Sequence, residues 1–130
     1  MQDSTRCIEC YRGIAGQVNP SSTLPHELGH TNLVIPEDLK RFFELIAVAE
    51  MSPCVWQDYG MELDSPPKPL WQFKSLLAEN TYMTIGTDWS VTLDANQFSG
   101  LEGMLDRGEK AIFLPDAINI MTINGAISLG

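Results

Sequence analysis

The stretch Tyr82-Met83-Thr84-Ile85-Gly86-Thr87-Asp88-Trp89-Ser90-Val91 is an apolar run that ends on one carboxylate beside a glycine and a tryptophan. Strands buried on both faces read as such runs, and in a β/α barrel the reacting side chains stand at the strand C-termini, facing the βα loops. Asp88 takes that position, where a carboxylate can accept a proton and return it. A second constellation, His26-Glu27-Leu28-Gly29-His30, has the H-E-x-x-H spacing of a zinc protease. On a helix that spacing puts two imidazoles on one face to bind zinc, with the glutamate activating a water. Thr31, Asn32, Val34 and Ile35, poor helix formers, separate the motif from Pro36. The chain also has only 2 histidines, so no third one completes a protease site. In a strand, residues 26, 28 and 30 point to the same side, which lets His26 and His30 face one pocket.

These residues need elements to hold them. Residues 4 to 16 carry a helical pattern with Cys7, Ile8, Tyr11, Ile14 and Ala15 toward one side, broken at Gly16 and Asn19-Pro20-Ser21-Ser22. Leu28 to Ile35, rich in apolar and β-branched residues, predicts a strand. Pro36 then opens a helix with Glu37 and Asp38 in its first turn, where acids favour the positive dipole end. Leu39, Phe42, Phe43 and Ile46 recur at helical spacing and predict one face packed on a sheet, and Ile46 to Met51 predicts the next strand, ended by Pro53. Residues 54 to 69, with Asp58, Gly60, Asp64 and Pro66-Pro67, read as a long polar loop, either a cap over a site or a plain surface excursion. A helix from Leu70 through Leu77 precedes the Asp88 strand, residues 92 to 99 form an irregular loop, and two short helices finish the chain. Strand, helix, strand, helix, strand is the alternation of a parallel α/β sheet.

The order of these segments resembles the metal-dependent amidohydrolases, specifically amidohydrolase family 3 and its N-substituted formamide deformylase-like group. The last barrel strand of that family ends in a Gly-Ser-Asp-Trp-Pro-like motif, to which Gly86-Thr87-Asp88-Trp89-Ser90 is similar. Gln2-Asp3 and the run from Arg6 to Ala15 resemble the segment after the family's fifth strand. His26 to Asn32 resembles the His-x-Ile-Glu-His segment on strand six, with Gly29 where the glutamate usually stands. Pro36 to Phe42 resembles the helix after that strand, Ala47 to Pro53 strand seven, and Gly100 to Met104 and Met121 to Ala126 the closing helices. The resemblance implies that His30 binds a divalent metal, Zn²⁺ first among them, through a neutral imidazole nitrogen. It implies that Asp88 touches the metal, takes the proton of its bound water and hands it to the leaving amine. His26 would orient substrate or His30, and Trp89 would wall the pocket or pack beneath the loop. The implied reaction is hydrolysis of a non-peptide, amide-type carbon–nitrogen bond in a small molecule.

Length limits what the resemblance can mean. A complete β/α barrel takes about 250 residues, with about 200 as a lower limit, and this chain has 130. The expected fold is therefore α/β, a partial TIM-like (β/α) barrel in which residues 1–130 are the C-terminal portion, about the last three strands with their helices, truncated at both ends. The His-x-His pair, the bridging ligand and the fifth-strand histidine would lie upstream, and the rest of a small β-sandwich downstream. A catalytic zinc takes three protein ligands, so the isolated chain is expected to bind metal weakly or not at all and to hydrolyse nothing. Sheet edges left uncovered by the missing strands predict self-association. Two other readings stay open: an H-E-x-x-H zinc metalloprotease, and a non-catalytic α/β interaction module.

Composition narrows the classes further. A net charge of −9, with 8 Lys and Arg residues scattered along the chain, does not suit a nucleic-acid binder, which clusters its cations. The N-terminus has no basic start leading into an apolar core, and no run approaches the roughly 18 apolar residues of a membrane span, so a soluble cytoplasmic chain is expected. Three cysteines, an odd number, do not make a disulfide framework. Cys7-Ile8-Glu9-Cys10 lacks the second pair that a structural zinc would need, and reads as two thiols on neighbouring turns of a helix.

Overall fold

The computed structural model describes residues 25–31, 33–55, 71–93 and 95–130. The expected helix over residues 4–16, the Cys7/Cys10 pair and all but the start of the polar loop over 54–69 lie outside these residues. The centre is a three-stranded parallel sheet in the order β1 (His26–Leu28), β2 (Ala47–Met51), β3 (Tyr82–Ile85). His26 pairs with Ala47 and Leu28 with Ala49 on one side of β2, and Ala49 pairs with Met83 and Met51 with Ile85 on the other. The chain is thus α/β, with strands in sequence order and helical segments between them. No helix among the described residues is long and apolar enough to cross a membrane.

Central strand β2 is buried on both faces, as a run of Ala, Val and Met predicts for a parallel strand. Ala47, Ala49 and Met51 join Met83 in a core with Val34, Phe42, Trp71, Phe73, Leu76, Met104, Ile112, Ala117 and Ile120. Phe42 comes from α1 (Arg41–Glu44), and Phe73 and Leu76 from α2 (Phe73–Ala78). The helix expected from Pro36 is divided: a 3-10 turn covers Pro36–Asp38, and α1 begins after Leu39 and Lys40. Of its expected buried stripe, Phe42 is fully covered, whereas Phe43 and Ile46 are exposed. Strand β1 also departs from expectation, running over 26–28 rather than 28–35; Val34 still reaches the core, from irregular chain tied by its N–H to Gln72 Oε1 at 2.7 Å.

After β3 come α3 (Phe98–Leu105), a 3-10 turn (Gly108–Lys110), α4 (Leu114–Met121) and α5 (Ile123–Leu129). Three helices close the chain where two were expected, because Thr122, at φ −125° and ψ −84°, breaks the last one. Gly100 lets α3 approach the chain beyond β2, since a Cβ there would lie 2.9 Å from Pro53 Cγ and 3.0 Å from Cys54 Sγ. Helix α5 packs against β3, where Asn124 Nδ2 donates to the Met83 carbonyl at 2.9 Å, and it also reaches β1, where Ser128 Oγ donates to Glu27 Oε2. Ile123, Ile127 and Leu129 face outward.

Ile46, at the turn from α1 into β2, has φ 53°. A β-branched residue is strained in that left-handed region, by about 1–2 kcal/mol, and glycine is not. Ile46 is 68% exposed, so little packing is lost on truncation. Ile46→Gly is expected to stabilise the chain by roughly 0.5–1 kcal/mol after the entropic cost of glycine, read as a higher urea midpoint at unchanged m value. A lower midpoint would show that this turn is not held as described.

Candidate functional site

Parallel strands bring their C-terminal ends to one edge of the sheet, and here backbone bonds to β2 and its end recur three residues past β1 and one residue past β3. Thr31 N–H donates to the Glu50 carbonyl at 2.8 Å, and Gly86 N–H donates to the Met51 carbonyl at 2.9 Å. These two bonds hold the chain leaving β1 and the chain leaving β3 on opposite sides of the end of β2. His30 precedes Thr31 and Asp88 lies two residues past Gly86, so both side chains reach the same edge. His30 Nε2 lies 3.6 Å from Asp88 Oδ1, with the imidazole 59% and the carboxylate 24% exposed.

Both residues hold a left-handed backbone, His30 at φ 56° and Asp88 at φ 58°. His and Asp are among the side chains most often found in that region, and here neighbouring bonds hold both. At His30 the turn is closed by Thr31 Oγ1 donating to the Leu28 carbonyl at 2.8 Å. At Asp88 the carbonyl accepts from Val91 N–H at 2.7 Å and Thr92 N–H at 3.1 Å, while buried Thr92 Oγ1 donates to the Thr87 carbonyl at 2.9 Å. Strand β3 itself stops at Ile85, so Asp88 sits on this tightly bonded loop rather than on the strand.

Sequence reasoning missed two further groups at this edge. Glu50 projects from β2 on the face opposite Ala49 and Met51, and its Oε2 accepts the backbone N–H of His30 at 2.9 Å. Ser52 Oγ lies 3.4 Å from Glu50 Oε1 and 3.4 Å from His30 Nδ1. Ser52 is 1% exposed, which removes it as a nucleophile and leaves it as a hydrogen-bond bridge. The only available signal was a glutamate inside an otherwise apolar five-residue strand.

The other expected site residues are placed differently. His26 begins β1, in register with Ala47 and on the face it shares with Leu28, while His30 lies two residues past the end of the strand; the structure does not bring His26 to the pair. Trp89 adjoins Asp88 and is 69% exposed, so it does not pack in the core beneath the loop. No protein-family model, curated protein or solved structure matches the chain.

Chemically, a neutral imidazole nitrogen and a carboxylate oxygen are both good ligands for a divalent cation. Two ligands of one tetrahedral zinc, at bond lengths of about 2.0–2.1 Å, are separated by about 3.3 Å. The observed 3.6 Å is close to that spacing. No group of three His, Cys, Asp or Glu side chains placed to hold a metal occurs among the described residues. The H-E-x-x-H segment forms a strand over its first three residues and a turn at Gly29 and His30, so the helical face that a zinc protease uses is not formed here.

Proposed function

We propose that this chain is the C-terminal portion of a metal-dependent amidohydrolase barrel, about its last three strands with their helices, and that the assembled site hydrolyses amide-type carbon–nitrogen bonds in small molecules. The observation that carries the reading is the meeting of His30 and Asp88, from the ends of two separate parallel strands, at 3.6 Å. Their separation and donor types fit a shared divalent cation, with Zn²⁺ first; a third protein ligand would come from strands outside this chain. A zinc ion, when bound, acidifies the water it holds and polarises a carbonyl. In that site His30 offers Nε2, Asp88 accepts a proton and returns it to the leaving amine, and Trp89 shields one side. Left alone, the chain is a weak metal binder without turnover. The outward-facing Phe113, Ile123, Ile127 and Leu129 support self-association.

Completion of the barrel tests this reading. Sequencing the DNA on both sides of the frame comes first, because a continuation into a His-x-His strand would supply the natural complement. Joined to that segment, the chain is expected to bind zinc tightly and cleave amide-type substrates, whereas alone it binds zinc weakly and has no turnover. A monodisperse, cooperatively melting chain that gains neither zinc nor turnover on completion would replace the enzyme reading with a non-catalytic α/β module.

A further inference from the structure

We propose that Glu50 is a positioning residue of this site: its carboxylate holds the left-handed backbone of His30 and, through Ser52, the far side of the His30 ring. The inference rests on His30 and Asp88 being the working pair. Glu50 is the one carboxylate on the central strand, and its two oxygens have separate tasks. Oε2 takes the His30 N–H at 2.9 Å, a bond from a charged acceptor to the residue whose φ is 56°. Oε1 takes the Ser52 hydroxyl at 3.4 Å, and Ser52 Oγ faces His30 Nδ1 at 3.4 Å. A metal-binding histidine offers one ring nitrogen to the cation and donates the N–H of the other to a fixed acceptor. With a cation on Nε2, Nδ1–H would donate to Ser52 Oγ, whose hydroxyl donates on to Glu50 Oε1. Because the Ser52 hydroxyl proton goes to Glu50 Oε1, Ser52 Oγ presents an acceptor to the His30 ring.

The glycines beside Glu50 belong to the same device. A Cβ on Gly86 would lie 2.7 Å from Glu50 Oε1, and one on Gly29 would lie 3.5 Å from Oε2. The carboxylate therefore sits between the ends of β1 and β3, and at Gly86 a side chain would occupy its place. Because Glu50 is flexible at its far end, Gly86→Ala moves the carboxylate without displacing backbone.

Amide hydrogen exchange on the full 130-residue chain tests the proposal without metal. The His30 amide is expected to be protected in the wild type. It should exchange at least tenfold faster in Glu50→Ala and in Gly86→Ala, and recover in Glu50→Gln, whose side-chain oxygen still accepts. The β2 and β3 amides should keep their protection in all three variants. Equal His30 exchange in wild type and Glu50→Ala, failure of Glu50→Gln to recover, or general loss of protection through the sheet would each overturn the proposal. Zinc titration of the same proteins is the second readout. Glu50→Ala and Ser52→Ala should weaken binding by about 10–100-fold, and wild-type affinity in both would refute the link to the ring. A wild type whose histidine resonances ignore zinc would sink the metal reading of His30 and Asp88, while the exchange result would still decide what Glu50 does.

Discussion

Phe42→Ala should cost the chain about 3–5 kcal/mol, the usual range for truncating a buried phenylalanine, while Phe43→Ala should change stability by about 0.5 kcal/mol or less. The two residues are adjacent on α1 and identical in type, but Phe42 is 0% exposed and Phe43 59%. Phe42 belongs to the core formed on the Ala47, Ala49 and Met51 face of the central strand, where small alanines leave room for its ring. Removing that ring creates a cavity under the strand that pairs on both sides, and a domain of this size has about 5–15 kcal/mol in total. Urea unfolding monitored by circular dichroism is expected to show a large drop in midpoint for Phe42→Ala alone. Equal losses for both variants would mean that α1 turns a different face to the sheet.

That pair also marks where the sequence stops being informative. Helical spacing through Leu39, Phe42, Phe43 and Ile46 placed a helix against the sheet, but it could not say that the helix would be only four residues long or that Leu39 and Phe42 alone of the four would pack. Within the short α1 Phe43 faces away from the sheet, and Ile46, past its end, takes a left-handed conformation at the tight entry into β2. The parallel alternation was legible because β2 and β3 are nearly continuous apolar runs. The boundaries of β1 were not, since Val34 is buried without being in a strand, and burial alone produces the same apolar pattern.

At the site, Asp88 was legible at the end of an apolar run and His30 from its spacing to His26 and Glu27, and the structure brings the two within 3.6 Å. Glu50 was not, because its contacts with the His30 N–H and beside Gly86 join segments 20 and 36 positions away in sequence. His26 was misplaced by strand parity: residues 26, 28 and 30 share a side only while the strand continues, and β1 ends at Leu28. A turn with His30 at φ 56° then redirects the second histidine toward β3.

Asp88→Asn is expected to leave the fold intact and to weaken zinc binding at least tenfold, and in a completed barrel to cut turnover by about 10²–10⁴-fold, the usual contribution of a positioned acid–base group. Asparagine suits the test because, like aspartate, it tolerates the left-handed backbone found here at φ 58°. The bonds that fix this loop run through the Asp88 carbonyl and the Thr87 and Thr92 side chains, not through the Asp88 carboxylate. The substitution thus removes one negative charge beside His30 Nε2 and little else. His30→Asn is the matching change on the other strand, again compatible with positive φ, whereas alanine at either position would add a backbone penalty of about 1 kcal/mol that confuses fold with function. Calorimetric titration of Zn²⁺ into wild type and both variants, with a thermal melt of each, separates the possibilities. Loss of zinc at an unchanged melting temperature places the cation between the two side chains. Unchanged zinc affinity in both variants would put any bound metal elsewhere, and His30 and Asp88 would then be two turn residues that the ends of β1 and β3 bring together.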